Sequence, residues 1–267
     1  MPDIFYLLSK WWKQILTVVL LSLITAVAVL EFSPNKYLSV STALPASSYT
    51  ADKGRIFNEN IQELYSVLGT TDELDMITGT GKLDTLYLAV TDEFNLFDHY
   101  KVSEKGNAAR NKAASLLKKN TKVMKSEYGE LKVKVWDRSK DLAPQLANAL
   151  MNKIQSIHQD LQNESNRATL LSLEKGKAEL QQQSDSVSAS AQPSLLQRIG
   201  KYETLIAEYH LMVNSKPPVL LVVEKARASN WPDKPKLVTV ILATFFLSFL
   251  FGLLLALVLE KRKNRAL

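Results

Sequence analysis

Cysteine is absent from all 267 residues, which excludes disulfide frameworks, thiolate metal sites and cysteine nucleophiles. Histidine is scarce. His99, His158 and His210 lie far apart, and none has a second ligand at metal-binding spacing. No G-x-S-x-G element or other triad pattern is present. Gly79-Thr80-Gly81-Lys82 resembles part of a phosphate loop, but Leu83 follows the lysine and Met76 occupies the leading glycine position. It reads as a surface turn. The acidic cluster Asp72, Glu73 and Asp75 reads as a solvated loop. Asn163-Glu164-Ser165 matches a glycosylation triplet but falls within a helical pattern. These absences predict a protein that is not an enzyme and needs no cofactor or metal.

A strong excess of one charge is also lacking where it would matter. The 33 basic and 27 acidic residues give +6, but six of the basic and two of the acidic ones sit in the terminal tails. The segment between keeps 27 basic residues against 25 acidic ones, so the pI near 9.2 is no sign of nucleic-acid binding.

What the sequence does contain is two apolar runs at its ends. Leu237–Leu259 carries no charge over 23 residues and would span roughly 34 Å as a helix, enough for a bilayer core. Ile15–Leu30 is shorter and reaches a spanning length with Trp11 and Trp12 as an interfacial belt and Phe32 at its far edge. Ala26-Val27-Ala28 also fits a signal-peptide cleavage site, although the apolar run continues past it. Lys10 and Lys13 at one end, and Lys261, Arg262, Lys263 and Arg265 at the other, predict that both tails face the cytoplasm. The expected layout is a tail at 1–14, a span at 15–32, an outer domain at 33–236, a span at 237–259 and a tail at 260–267.

Within the outer segment the expected fold class is α+β. Tyr37–Leu44 reads as a strand and Ile56–Leu68 as a helix. Leu83–Phe97 and Ala108–Asn120 also read as helices. Leu131, Val133 and Val135 alternate with lysines, the pattern of a half-buried strand. A long helix begins near residue 141, capped by Ser139 or Asp141, and carries the stripe Leu142, Leu146, Leu150, Ile154, Ile157 and Leu161. Ser184–Ser194 is a polar turn, and Leu195–Val213 returns, which makes a helical hairpin over about 141–213. Val219–Val223 reads as a strand expected to pair with the first one. The stripe 142–161 is broad enough to serve subunit contacts as well as its own return helix. Gly252 and Ala256 form a small-residue face for packing in lipid.

The order span, strand, α+β unit, long helical hairpin, strand, proline-rich stretch and span resembles the polysaccharide co-polymerases. These are the Wzz-type chain-length determinants of bacterial surface polysaccharide. The likeness is carried by Leu86–Tyr100 with Asn95, Leu96 and Tyr100, and by Glu130–Asn152 with Asp137, Ala143, Ala147 and Asn148. It is carried most specifically by Pro232-x-x-Pro235-Lys236 before the second span. Ser229 stands where a further proline would extend that signature, and the second span holds one glycine where the family often has more. The resemblance implies a non-enzymatic homo-oligomer in the bacterial inner membrane, with its main domain periplasmic. Its implied partners are a membrane polysaccharide polymerase, the lipid bilayer and lipid-linked polysaccharide. Alternatives are an export-complex subunit served by a separate cytoplasmic tyrosine kinase, or a two-span sensor or channel subunit.

Overall fold

The computed structural model describes residues 4–46, 71–184 and 192–263. The helix expected at 56–68, the turn before it and most of the turn at 184–194 lie outside them. The chain divides into two compact units. One comprises Met1–Leu38, Trp136–Ala143 and Ala228–Leu267, and the other Ser39–Val135 and Pro144–Arg227.

In the first unit, helix α1 (Ile4–Phe32) lies against the last helix, α8 (Leu237–Lys263). Both contain segments long and apolar enough to cross a membrane, Leu8–Phe32 and Leu237–Arg262. Their apolar side chains mostly point outward: Leu21, Ile24, Leu247 and Phe246 are all more than 60% exposed. Such surfaces are costly in water and suit a lipid surround. The helices meet through Ile15, Val19 and Ala256, which are buried. A Cβ on Gly252 would come within 3.2 Å of Ile15 Cγ2 and 3.4 Å of its Cα, so the glycine permits the close approach. Helical backbone begins well before residue 15, within the segment expected as a tail, and a kink at Trp11 (φ −112°, ψ 16°) separates it from the apolar run. Within that earlier part, the Lys10 ammonium pairs with Glu260 at 2.7 Å.

The second unit contains most of a four-stranded sheet in the order β2-β3-β1-β4. Its strands are β1 (Tyr37–Pro45), β2 (Thr121–Lys125), β3 (Leu131–Asp137) and β4 (Leu220–Glu224). β1 pairs antiparallel with β4, as expected, with a register shift between Thr42 and Ala43. β2 and β3 form an antiparallel hairpin that sets Val123 opposite Val133. β2 was not anticipated. On β3, Leu131, Val133 and Val135 are fully buried, as the alternation required. β1 is built of small residues whose hydroxyls find backbone partners: Ser39 donates to the Arg227 carbonyl at 2.8 Å and Ser41 to that of Glu224 at 3.3 Å.

Helices α2 (Thr71–Thr80), α3 (Asp84–Glu93), α4 (Leu96–His99) and α5 (Asn107–Lys119) supply Leu74, Ile77, Leu86, Val90, Leu96 and Leu117 to the core. Two expectations change here. Asp72, Glu73 and Asp75 belong to α2, not to a loop, and Asp75 meets Lys125 at 3.3 Å. The single helix expected over 83–97 breaks at Asn95, whose φ of 48° is a left-handed conformation that asparagine tolerates. Arg110 of α5 grips Asp92 of α3 through two hydrogen bonds of 2.7 and 2.6 Å. Those bonds hold the Asp92 carboxyl below its ordinary range.

The long helix α6 (Leu142–Ser184) and its return α7 (Gln192–Ser215) form the expected hairpin. At 43 residues α6 extends roughly 64 Å. Ser139 is the cap, accepting the Leu142 amide at 3.2 Å, while Asp137 accepts the Ser139 amide at 2.8 Å. Leu180, Leu195, Ile199 and Tyr202 close the far end of the pair. Lys177 and Glu203 bridge its surface at 2.8 Å.

Candidate functional site

The described residues contain no cluster of three or more His, Asp or Glu arranged to hold a metal. The histidines have structural surroundings. His158 is buried and shares a 2.8 Å hydrogen bond with Thr80, His210 lies 3.4 Å from Glu174, and His99 packs on the Tyr100 ring. In the stretch 79–82, Gly79 and Lys82 are exposed while Thr80 and Gly81 are buried. Tyr87 donates to the Gly81 carbonyl at 2.6 Å, and burial, with Asp84 adding to it, pushes the phenol up to about 12. Asn163 is buried within α6.

The place where sequence motif and built geometry coincide is the junction before α8. Lys36, just after α1, and Lys234 exchange backbone contacts: the Lys36 amide donates to the Lys234 carbonyl at 3.0 Å. The Asp233 amide in turn donates to the Lys36 carbonyl at 2.9 Å. The chain leaving α1 and the chain entering α8 are therefore tied together next to Pro232 and Pro235. Ser229, standing where another proline was expected, folds its own turn. Its hydroxyl donates to the Trp231 carbonyl at 2.8 Å and accepts the Trp231 amide at 3.3 Å. The peptide bond Lys234–Pro235 is cis, and the Lys236 carbonyl accepts the first helical bond of α8, from Val240.

Trp136 completes the junction. Its indole N–H donates to Asp233 Oδ2 at 2.7 Å, and the Lys234 ammonium lies 4.1 Å from the ring centroid. One aromatic residue thus engages a carboxylate at its edge and a cation on its face. Sequence reasoning named Pro232, Pro235 and Lys236 but missed Trp136, Asp233 and Lys234. The available signal was a bulky aromatic following the buried Leu131-Val133-Val135 set, on the strand face that otherwise carries lysines.

At the other end of the same helix pair, Glu260 is almost fully buried. It accepts from Lys10 at 2.7 Å and from the Trp11 indole at 2.9 Å. Gly252 and Ala256 sit between these two fastenings, facing α1 within the same chain.

The stripe on α6 is divided. Leu146, Leu150 and Ile154 are fully buried in the chain's own core, Leu142 and Ile157 are half-buried, and Leu161 is 56% exposed. Leu171, Leu196 and Leu211 also face outward on the hairpin. Asn148 serves the fold instead: its amide accepts the Ala226 N–H at 2.8 Å and donates to the Ala226 carbonyl at 3.3 Å.

No family model matches the chain, and no curated protein matches it. Among solved structures it is similar to a full-length bacterial polysaccharide co-polymerase, at 12% sequence identity and a TM-score of 0.42. The match covers 99% of this chain and 98% of that one. At that identity and score the likeness carries neither function nor residue roles across.

Proposed function

We propose that the chain is a membrane-anchored, non-catalytic regulator of surface polysaccharide length, working as a homo-oligomer beside a membrane polysaccharide polymerase. The observation that carries this reading is the fastened junction. The Pro232–Lys236 motif, where the sequence most resembles the chain-length determinants, is tied by backbone bonds to Lys36, just after α1, and by the Asp233 carboxylate to Trp136 of β3. Two outward-facing apolar helices support anchoring at both ends, and the packing of α1 on α8 favours an uncleaved first anchor. Exposed leucines on a hairpin roughly 64 Å long support contacts between copies. In this reading the chain leaving α1 and the chain entering α8 are held to each other where the two apolar helices end.

The test is a gel of surface polysaccharide from a deletion strain and its complemented counterpart. Deletion should abolish the modal length, and the wild-type gene should restore it. A length distribution unchanged by deletion would end the proposal.

A further inference from the structure

An open cleft of about 540 Å³ lies where the two apolar helices meet the junction, between the last turn of α1 and the first turn of α8. That volume is in the range of small-ligand sites. The backbone ties between Lys36 and Lys234 hold its walls in register, and Asp233 on its lining is kept in place by Trp136. Leu30 and Val238 give it an apolar side continuous with the helices, while Glu31, Asn35 and Lys236 line it with polar groups.

The charges here contrast with those at the opposite end of the helix pair. There, Lys10 and Glu260 neutralise each other at 2.7 Å. Here, Glu31 and Lys236 are exposed, and neither side chain pairs with the other or with any described residue; the Asn35 amide is likewise unengaged. Two opposite charges held apart around an amphipathic cleft are complementary to a ligand that carries both signs and an apolar tail. We propose that the cleft binds the headgroup of a zwitterionic phospholipid. The phosphate lies against Lys236 and Asn35, the amine lies against Glu31, and the acyl chains run along Leu30 and Val238. This inference rests on the reading of α1 and α8 as membrane spans.

The test is native mass spectrometry of the full-length protein released from nanodiscs of equal phosphatidylethanolamine and phosphatidylglycerol. Wild type should retain the ethanolamine lipid severalfold over the glycerol lipid. Glu31→Gln should bring the two to parity by losing the ethanolamine lipid, and Lys236→Gln should lower both. Both variants alter exposed side chains, and matching thermal unfolding curves check that they fold. Soluble glycerophosphoethanolamine, which lacks acyl chains, should not displace the lipid. Equal retention by wild type, an unchanged ratio in Glu31→Gln, or displacement by the soluble phosphoester would each overturn the proposal. Extraction of the protein from membranes by alkaline carbonate would instead defeat the spanning reading beneath it.

Discussion

Gly81 follows the end of α2 with the side chain of Val123 directly against it. A Cβ built there would lie 2.7 Å from Val123 Cβ and Cγ1 and 2.8 Å from Cγ2, and Val123 is held in the β2–β3 register opposite Val133. Neither side can yield without moving backbone. Gly81→Ala should therefore cost about 1–3 kcal/mol, the usual range for overpacking, measured by denaturant unfolding of the detergent-solubilised protein. The same residue offers its carbonyl to Tyr87, so the turn that superficially resembles a phosphate loop is a packing joint. The glycine spacing alone could not reveal this, because Val123 lies 42 residues on in a strand with weak periodicity.

Among the elements, the hairpin carries an unusual polar content. Asn163, Asn166 and Glu208 are all less than 10% exposed. Burial raises the Glu208 carboxyl above its ordinary value near 4.5. The folded chain therefore favours the protonated form more than the unfolded chain does. Below the unfolded value both states are protonated and no penalty exists; the penalty develops as pH rises through the folded value. Glu208→Gln should consequently stabilise the protein at pH 7 to 8, with the gain disappearing by about pH 4. Thermal unfolding of both forms across that range checks it, and a gain constant with pH would refute it.

Element identity was legible where one period ran long enough. The buried set Leu131-Val133-Val135 and the stripe from Leu142 to Ile154 marked β3 and α6 because each repeats without interruption. β2 escaped notice because its five residues include three that are lysine or threonine, and its pairing with β3 is what makes it a strand. The break at Asn95 was hidden by apolar residues that continue the helical pattern across it.

At the scale of the molecule, the terminal apolar runs and the proline signature were readable from local sequence. The fastening of that signature was not, since Trp136 and Asp233 are 97 positions apart. The stripe also carried two meanings that sequence could not separate. Leu146, Leu150 and Ile154 serve the chain's own core, while Leu161 is left facing outward. The proposal stands or falls on whether the Pro232–Lys236 junction before α8, tied to Lys36 and Trp136, takes part in setting polymer length. The most direct measurement is the size distribution of surface polysaccharide in a deletion strain re-expressing either wild type or Pro232→Ala/Pro235→Ala at matched membrane levels. The account predicts a restored modal length with wild type and a shifted or broadened one with the variant. A variant that restored the wild-type distribution would contradict it, leaving the prolines as no more than a stop before α8.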